Sequence, residues 1–319
     1  MTRTTAMKHA TVSIAQLDDL TKYTIHDGDI RRIVYQAMDG LRYQPDGDLD
    51  SVAMKVNLRY YWDHSTGETT DPRIVSALID YIRERYNRQA RIIIAEADAS
   101  AMRAQHAFTM LGFDKLAKEK SVELVNLGKT EAILKKAKVG RKEYELPIPK
   151  LLLKTDLLIN VPKLKVHRLT GITCALKNMF GAIHKKRKVE YHTSLNEVIV
   201  AVNKLVKPGL TVVDGIIALG KYPVKMGVVL AGLDSLAVDF TVARLMGYNP
   251  RRIRHLSLAA REGVGESNQI AVIGVSPEEA GIGFPKTNPL LFNLSWTAQL
   301  KVLRLYTKLV GDILPPLAR

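Results

Sequence analysis

The feature that most narrows the fold is an alternation of short, almost purely apolar runs with longer segments of helical periodicity. Residues 91–95 are apolar after the first position and 156–161 nearly so, as expected of strands covered on both faces in a parallel sheet. Similar short runs lie at 10–17, 52–58, 122–127, 210–213, 227–231 and 270–274. Between them, apolar residues recur at helical spacing over 30–41, 101–111, 171–183, 195–207, 235–246 and 250–262. Asp71-Pro72 is a good helix start, and Ile74, Val75, Leu78, Ile79 and Ile82 follow on one face. This pattern predicts an α/β fold of mostly parallel sheets with flanking helices. The length of 319 residues predicts two α/β lobes with a cleft between them, 1–150 and 151–284. Residues 129–142 are lysine-rich and read as a solvated connection or hairpin.

Residues 285–319 differ from the rest. Leucines and Trp296 alternate with Lys301, Arg304 and Lys308, the pattern of an amphipathic helix. It is read as packing on the body or pairing two copies in a homodimer, with peripheral contact to anionic lipid as the alternative.

Cys174 is the single cysteine, so a four-thiolate zinc site or iron-sulfur cluster built by this chain alone is not expected. The lone thiol, the absence of an apolar run of signal-peptide length in residues 1–16 and the absence of a bilayer-length apolar stretch make the cytoplasm the expected location. Charge is the anomaly: 47 Lys and Arg against 32 Asp and Glu leave a formal net charge of +15. Such an excess points to anionic partners. Aromatic residues make up only 6%, which disfavours a base-stacking nucleic-acid platform. Neither GxxxxGK[ST] nor a strand-following GxGxxG is present, so an ordinary P-loop or dinucleotide site is not expected.

The chemistry concentrates between Asp156 and Gly181. If residues 163–167 continue extended, period-two alternation puts Lys163, Lys165 and His167 on one face. A helix starting near Thr170-Gly171 would add free amides to that surface and carry Thr170, Cys174, Lys177 and Gly181 along one side. A partly desolvated Lys177 crowded by like charges should have a lowered pKa, the state in which lysine works as base or nucleophile. Asn178 is the expected hydrogen-bonding neighbour. The basic run 184–188 is read as a solvated loop or one that closes over an anion, with His192 just beyond. Other strand ends contribute Lys55, Asn57, Glu96, Asp98 and Asp214. Glu96 and Asp98 are weak candidates for a divalent metal, and no zinc-type spacing of histidines and carboxylates is found.

The stretch Asn160-Val-Pro-Lys-Leu-Lys-Val-His167 with Ala175-Leu-Lys-Asn-Met-Phe-Gly181 resembles the signature of domain-of-unknown-function family 362. Lys55-Val-Asn-Leu58 with Thr70-Asp-Pro-Arg73 resembles its N-terminal unit, and Ala231-Gly-Leu-Asp-Ser-Leu-Ala-Val-Asp239 with Leu245-Met-Gly247 and Gly263-Val-Gly265 resembles its C-terminal one, so the likeness spans about residues 50–265. Many members carry ferredoxin-type cysteines, which this chain lacks. A more distant similarity is to the nickel-pincer lactate racemases. It implies cofactor-carrying roles for His167 and Lys177, a further role for His192, and a likeness of Asp71 and Arg73 to the racemases' N-terminal Asp and Arg. The racemases' catalytic histidine is replaced here by Ala95-Glu-Ala-Asp98, and the pincer cofactor is not expected.

The leading expectation is an enzyme that binds a small carboxylated or phosphorylated metabolite at the strand carboxyl ends. Lys163, Lys165, His167 and Arg73 would neutralise the ligand, and Lys177 would act as acid, base or nucleophile. The rivals are a polyanion-binding protein without catalysis, and a redox partner lacking its own iron-sulfur cluster.

Overall fold

A computed structural model describes residues 9–21, 24–47, 49–99, 102–185 and 187–287. The strands are β1 (Ala10–Gln16), β2 (Ser51–Val56), β3 (Arg91–Glu96), β4 (Glu123–Asn126), β5 (Ala132–Val139), β6 (Lys142–Pro149), β7 (Leu157–Val161), β8 (Lys163–His167), β9 (Gly171–Thr173), β10 (Leu210–Leu219), β11 (Pro223–Gly232) and β12 (Ile270–Gly274). The helices are α1 (Asp27–Leu41), α2 (Pro72–Arg85), α3 (Ala104–Met110), α4 (Phe113–Lys120), α5 (Leu151–Lys154), α6 (Ala175–Phe180), α7 (Leu195–Leu205), α8 (Ser235–Leu245), α9 (Arg254–Arg261) and α10 (Pro277–Ala280).

Ten of these strands form one sheet, in the order β12-β1-β11-β10-β7-β2-β3-β4, with β8 leaving the path to pair with β10 and β9. Pairing is parallel from β10 through β7, β2 and β3 to β4, and antiparallel where β11 joins β10 and β1. Strands from before and after residue 150 interleave in this sheet, so the two expected lobes share one sheet. Side chains alternate between its faces as period two requires. Val52, Met54, Ile92, Ile94 and Val212 pack with Ile30, Ile33, Ile74 and Leu78 of α1 and α2. Ala53, Ile93, Leu158 and Val213 pack on the opposite side with Leu176, Val198, Leu236 and Leu256 of α6 to α9.

Local chemistry sets several boundaries. Asp71 caps α2, its carboxylate accepting from Arg73 N at 2.9 Å, with Pro72 in the first turn. The lysine-rich stretch is the β5/β6 hairpin, which runs on to Pro149. The amphipathic helix expected over 285–319 lies, from residue 288 on, outside the described residues. Among the described residues no helix is long and apolar enough to cross a membrane.

The expected helix over 171–183 is corrected. Gly171 has φ +79°, and residues 171–173 turn back as β9 against β8, so α6 begins only at Ala175. Its first amides do not face a ligand. Asp239 of α8 reaches over, its carboxylate accepting from Ala175 N at 2.7 Å and Leu176 N at 2.9 Å. The anion affinity expected of this helix end is satisfied from within the chain. Burial raises the Asp239 carboxyl to about 7, while Asp234, five residues earlier, caps α8 by accepting from Leu236 N and Ala237 N. The two acids of Asp234-Ser-Leu-Ala-Val-Asp239 are thus both helix caps.

Replacing Asp239 by Ala strands two buried amides, at about 1–3 kcal/mol for each donor left without an acceptor. Urea unfolding of Asp239→Ala should show a loss of about 2 kcal/mol or more; stability within about 0.5 kcal/mol of wild type would remove the cap from this account.

Candidate functional site

The carboxyl ends of the parallel strands open into a cavity of about 450 Å³, a size suited to small-molecule ligands. Among the described residues, five cationic side chains line it, Lys55, Arg59, Lys165, Lys177 and Lys188, against one carboxylate, that of Glu96. Asn57, Asn178, His167 and His192 supply polar groups, and Tyr60 and Phe180 supply aromatic wall.

Its floor is a buried polar network in which most groups are hydrogen-bonded, while Asn57 Oδ1 and the Thr173 hydroxyl are buried without a partner among the described residues. Lys55, wholly buried at the end of β2, contacts Glu96 Oε1 at 2.6 Å and donates to the Val56 carbonyl at 2.7 Å. The other Glu96 oxygen accepts from Leu58 N at 2.9 Å. Asn178 on α6 donates to the Lys55 carbonyl and to Asn160 Oδ1, and accepts from Asn57 Nδ2 at 2.9 Å. Asn178 therefore ties β2 and β7 to α6, a bracing role beside the expected ligand contact. Asp98 is engaged elsewhere, accepting from Ala104 N and Asn126 Nδ2. No group of three or more potential metal ligands occurs among the described residues.

The remaining cations differ in how they are matched. Lys165 on β8 reaches the Glu68 carboxylate at 3.1 Å and also donates to the Glu68 carbonyl. Burial pulls its ammonium down to about 8 against the opposing pull of Glu68. Arg59 lies 3.8 Å from the same carboxylate. Lys188 donates to the Asp98 carbonyl at 2.8 Å and is lowered to about 8, again by burial first. Lys177 is half-buried, with its ammonium 5.9 Å from the Phe180 ring centre, and has neither a hydrogen-bond nor an ion-pair partner among the described residues. Burial, then the charges of Lys165 and Arg59, pull it down to about 7.

His167 closes one side. Backbone amides of Leu169 and Thr170 donate to its Nδ1, each at 3.3 Å, which leaves the ring proton on Nε2. Burial and the nearby Lys177 charge hold it neutral, its pKa well below the usual range. His192 is likewise lowered by burial and by Lys177.

The structure thus brings together Lys55, Asn57, Glu96, Lys165, His167, Lys177, Asn178 and His192. It places four expected residues elsewhere: Asp98, Lys163, Asp71 and Arg73. Lys163 is fully buried and pairs with Asp214 at 2.8 Å beneath the pocket lining. The Asp214 carboxylate also accepts from Asp71 N at 2.7 Å, fastening α2 to the sheet. Arg73 pairs with Asp71 at 2.8 Å and donates to the Ile25 carbonyl. Asp71 and Arg73 are not among the pocket-lining residues, so their pairing shapes the base of α2. His167, Lys177 and His192 share the pocket, and Glu96 is held against Lys55 at 2.6 Å.

Arg59, Tyr60, Glu68 and His255 were not singled out by sequence. The run Arg59-Tyr-Tyr-Trp62 directly after a strand end is a usable signal. Tyr60 takes φ +52°, a region bulky residues seldom adopt, and stacks under the Arg59 guanidinium at 5.5 Å. His255 on α9 is fully buried with both ring nitrogens unpartnered, and burial with the Lys177 charge drives its pKa down to about 3. Nothing in its local sequence marks it.

Two lysines fourteen positions apart should affect stability in opposite directions. Lys163→Met leaves Asp214 charged and unpaired in the interior, at about 3–5 kcal/mol. Lys177→Met removes an unmatched ammonium. The unfolded chain holds the Lys177 proton up to the ordinary value near 10.5 and the folded chain only to about 7, so burial of the charge costs most below pH 7 and the cost fades as pH rises through that window. Melting temperature should therefore rise for Lys177→Met at about pH 6 and approach wild type by about pH 10; a Lys177→Met protein less stable than wild type at about pH 6 would contradict this.

The sequence of a thylakoid-associated protein of Synechocystis sp. is 29% identical over 157 residues, covering 45% of this chain and 46% of that protein. The chain therefore spans less than half of that relative's length. Among solved structures, the lactate racemase apoprotein of Thermoanaerobacterium thermosaccharolyticum matches with a TM-score of 0.40 and 14% identity, covering 82% of this chain and 58% of that one. The profile of the family described as Domain of unknown function (DUF362) matches residues 52–244, more than half of the chain and all of the strands and helices that build the pocket floor. The chain belongs to that family.

Proposed function

We propose that this chain is an enzyme acting on a small carboxylated or phosphorylated metabolite, bound in the basic pocket at the strand carboxyl ends. The observation that carries the reading is the Lys177 amine, which lines a cavity of metabolite size and, beyond the Phe180 ring 5.9 Å away, has no hydrogen-bond or ion-pair partner among the described residues. An anion entering there gains what the chain withholds. Lys165 and Lys188 are matched within the protein, so the charge left to attract a ligand is that of Lys177 and the partly matched Arg59. In this low-dielectric recess a fixed cation interacts with an anion far more strongly than in water. His167, neutral with its proton on Nε2, offers a hydrogen-bond donor to a ligand oxygen. Lys177, lowered to about 7, exchanges protons near neutrality, as a general acid or base must.

A thermal-shift screen of small carboxylates and sugar phosphates in moderate salt tests the reading. One compound, or a few of related shape, should stabilise the protein, with affinity dropping about tenfold in Lys177→Met. Because the ammonium is lost near pH 7, binding should weaken between about pH 6 and about pH 8.5. Stabilisation by any polyanion alike, collapsing as salt rises, would instead favour the polyanion-binding reading.

A further inference from the structure

We propose that Lys177 is a nucleophile that captures a carbonyl group, forming an imine with small aldehydes or ketones that carry a carboxylate or a phosphate. The inference rests on the anion-pocket reading and adds to it the reactive group of the ligand.

The argument starts from a mismatch. A lysine whose only task is to hold an anion works best when fully charged, and a neighbouring carboxylate or carbonyl helps to keep it so. Lys55, Lys165 and Lys188 have such neighbours. Lys177 is packed beside Phe180 and near two further cations, in a pocket wall that leaves its nitrogen uncommitted. Desolvation and like charge both favour the neutral amine, which is the nucleophilic form. Arg59, only loosely matched by Glu68 at 3.8 Å, would hold the anionic end of a short ligand while its carbonyl carbon meets Lys177.

Proton handling is also present. The Lys177 lone pair adds to the carbonyl carbon as the carbonyl electron pair moves to oxygen. His192, which lines the same pocket and is shifted toward its neutral form by burial and by the Lys177 charge, would take one proton from the nitrogen and pass it to that oxygen, giving the carbinolamine. The second N–H proton, carried the same way to the carbinolamine hydroxyl, lets it leave as water while the C=N bond forms. One amine and one carbonyl give one imine and one water, with no oxidant or reductant consumed.

The test uses the full chain near neutral pH with sodium cyanoborohydride, which reduces an imine to a stable amine, and peptide mass spectrometry to locate the adduct. Three probes are compared: glyoxylate, glycolaldehyde phosphate and uncharged acetaldehyde. Lys177 should be modified at least about tenfold faster than the surface lysines, and faster by an anionic aldehyde than by acetaldehyde. The better of the two anions assigns carboxylate or phosphate. Lys177→Arg, which keeps the charge, should lose this adduct while retaining a thermal shift with glycolate or a simple phosphate ester. Modification of Lys177 no faster than that of surface lysines overturns the proposal. If glycolate or the phosphate ester still stabilises the protein in that case, the anion pocket stands without the imine; if neither does, both fall. Equal modification by acetaldehyde shows that the anionic group is not recognised, and overturns the proposal as stated.

Discussion

Everything at the carboxyl end of the sheet depends on how buried ammonium groups are matched. Charge in a protein interior is tolerable only when it is paired and hydrogen-bonded. Lys55 with Glu96, and Lys163 with Asp214, meet that condition, and each pair also spends its remaining carboxylate valence on backbone amides of the neighbouring loop or helix. These pairs hold β2, β3, β8, β10 and the start of α2 in fixed relation. Lys177 stands outside the pattern. Its position is set by α6, which the Asp239 cap and the Asn178 bracket lock onto the sheet, so the unmatched amine is held by groups that do not touch it. A rigid support around an uncompensated charge is the arrangement expected of a working group rather than of a structural one.

The fold was legible because a doubly covered parallel sheet writes itself into sequence as apolar runs separated by amphipathic helices. The apolar runs at 52–58, 91–95 and 156–161 were found this way and fall on β2, β3 and β7, and Asp71-Pro72 marked its helix start through capping chemistry. The failure at 171–183 is equally physical. Gly171 takes a left-handed φ that no periodicity argument sees, and the short β9 it permits uses residues whose apolar character suits a helix equally well. The expected split near residue 150 came from length, and length carries no information on which strands pair.

Part of the site was legible and part was not. Of the four residues expected on one helix side, Lys177 and Gly181 line the pocket, while Thr170 and Cys174 precede α6 and do not. Alternation along β8 grouped Lys165 with His167, and both line it. The same alternation put Lys163 with them, but its partner Asp214 lies 51 residues away, and only the three-dimensional pairing shows that this lysine is structural. Asp71 and Arg73 fail for the related reason that an Asp two residues before an Arg reads the same whether the pair faces a ligand or each other. His255 shows the opposite limit: a histidine on a helix otherwise facing the core is unremarkable in sequence, and only its unpartnered ring nitrogens and the electrostatic reach of Lys177 make it notable.

The central claim is that Lys177 is a partly desolvated amine in the pocket, without an ion-pair partner among the described residues. Selective labelling of lysine side chains with carbon-13 at Cε, followed by NMR titration and assignment through the Lys177→Arg protein, reads this directly. A resonance assigned to Lys177 that titrates near 7, well below the ordinary lysine value of about 10.4, is the predicted result; one that titrates with the surface lysines would contradict it.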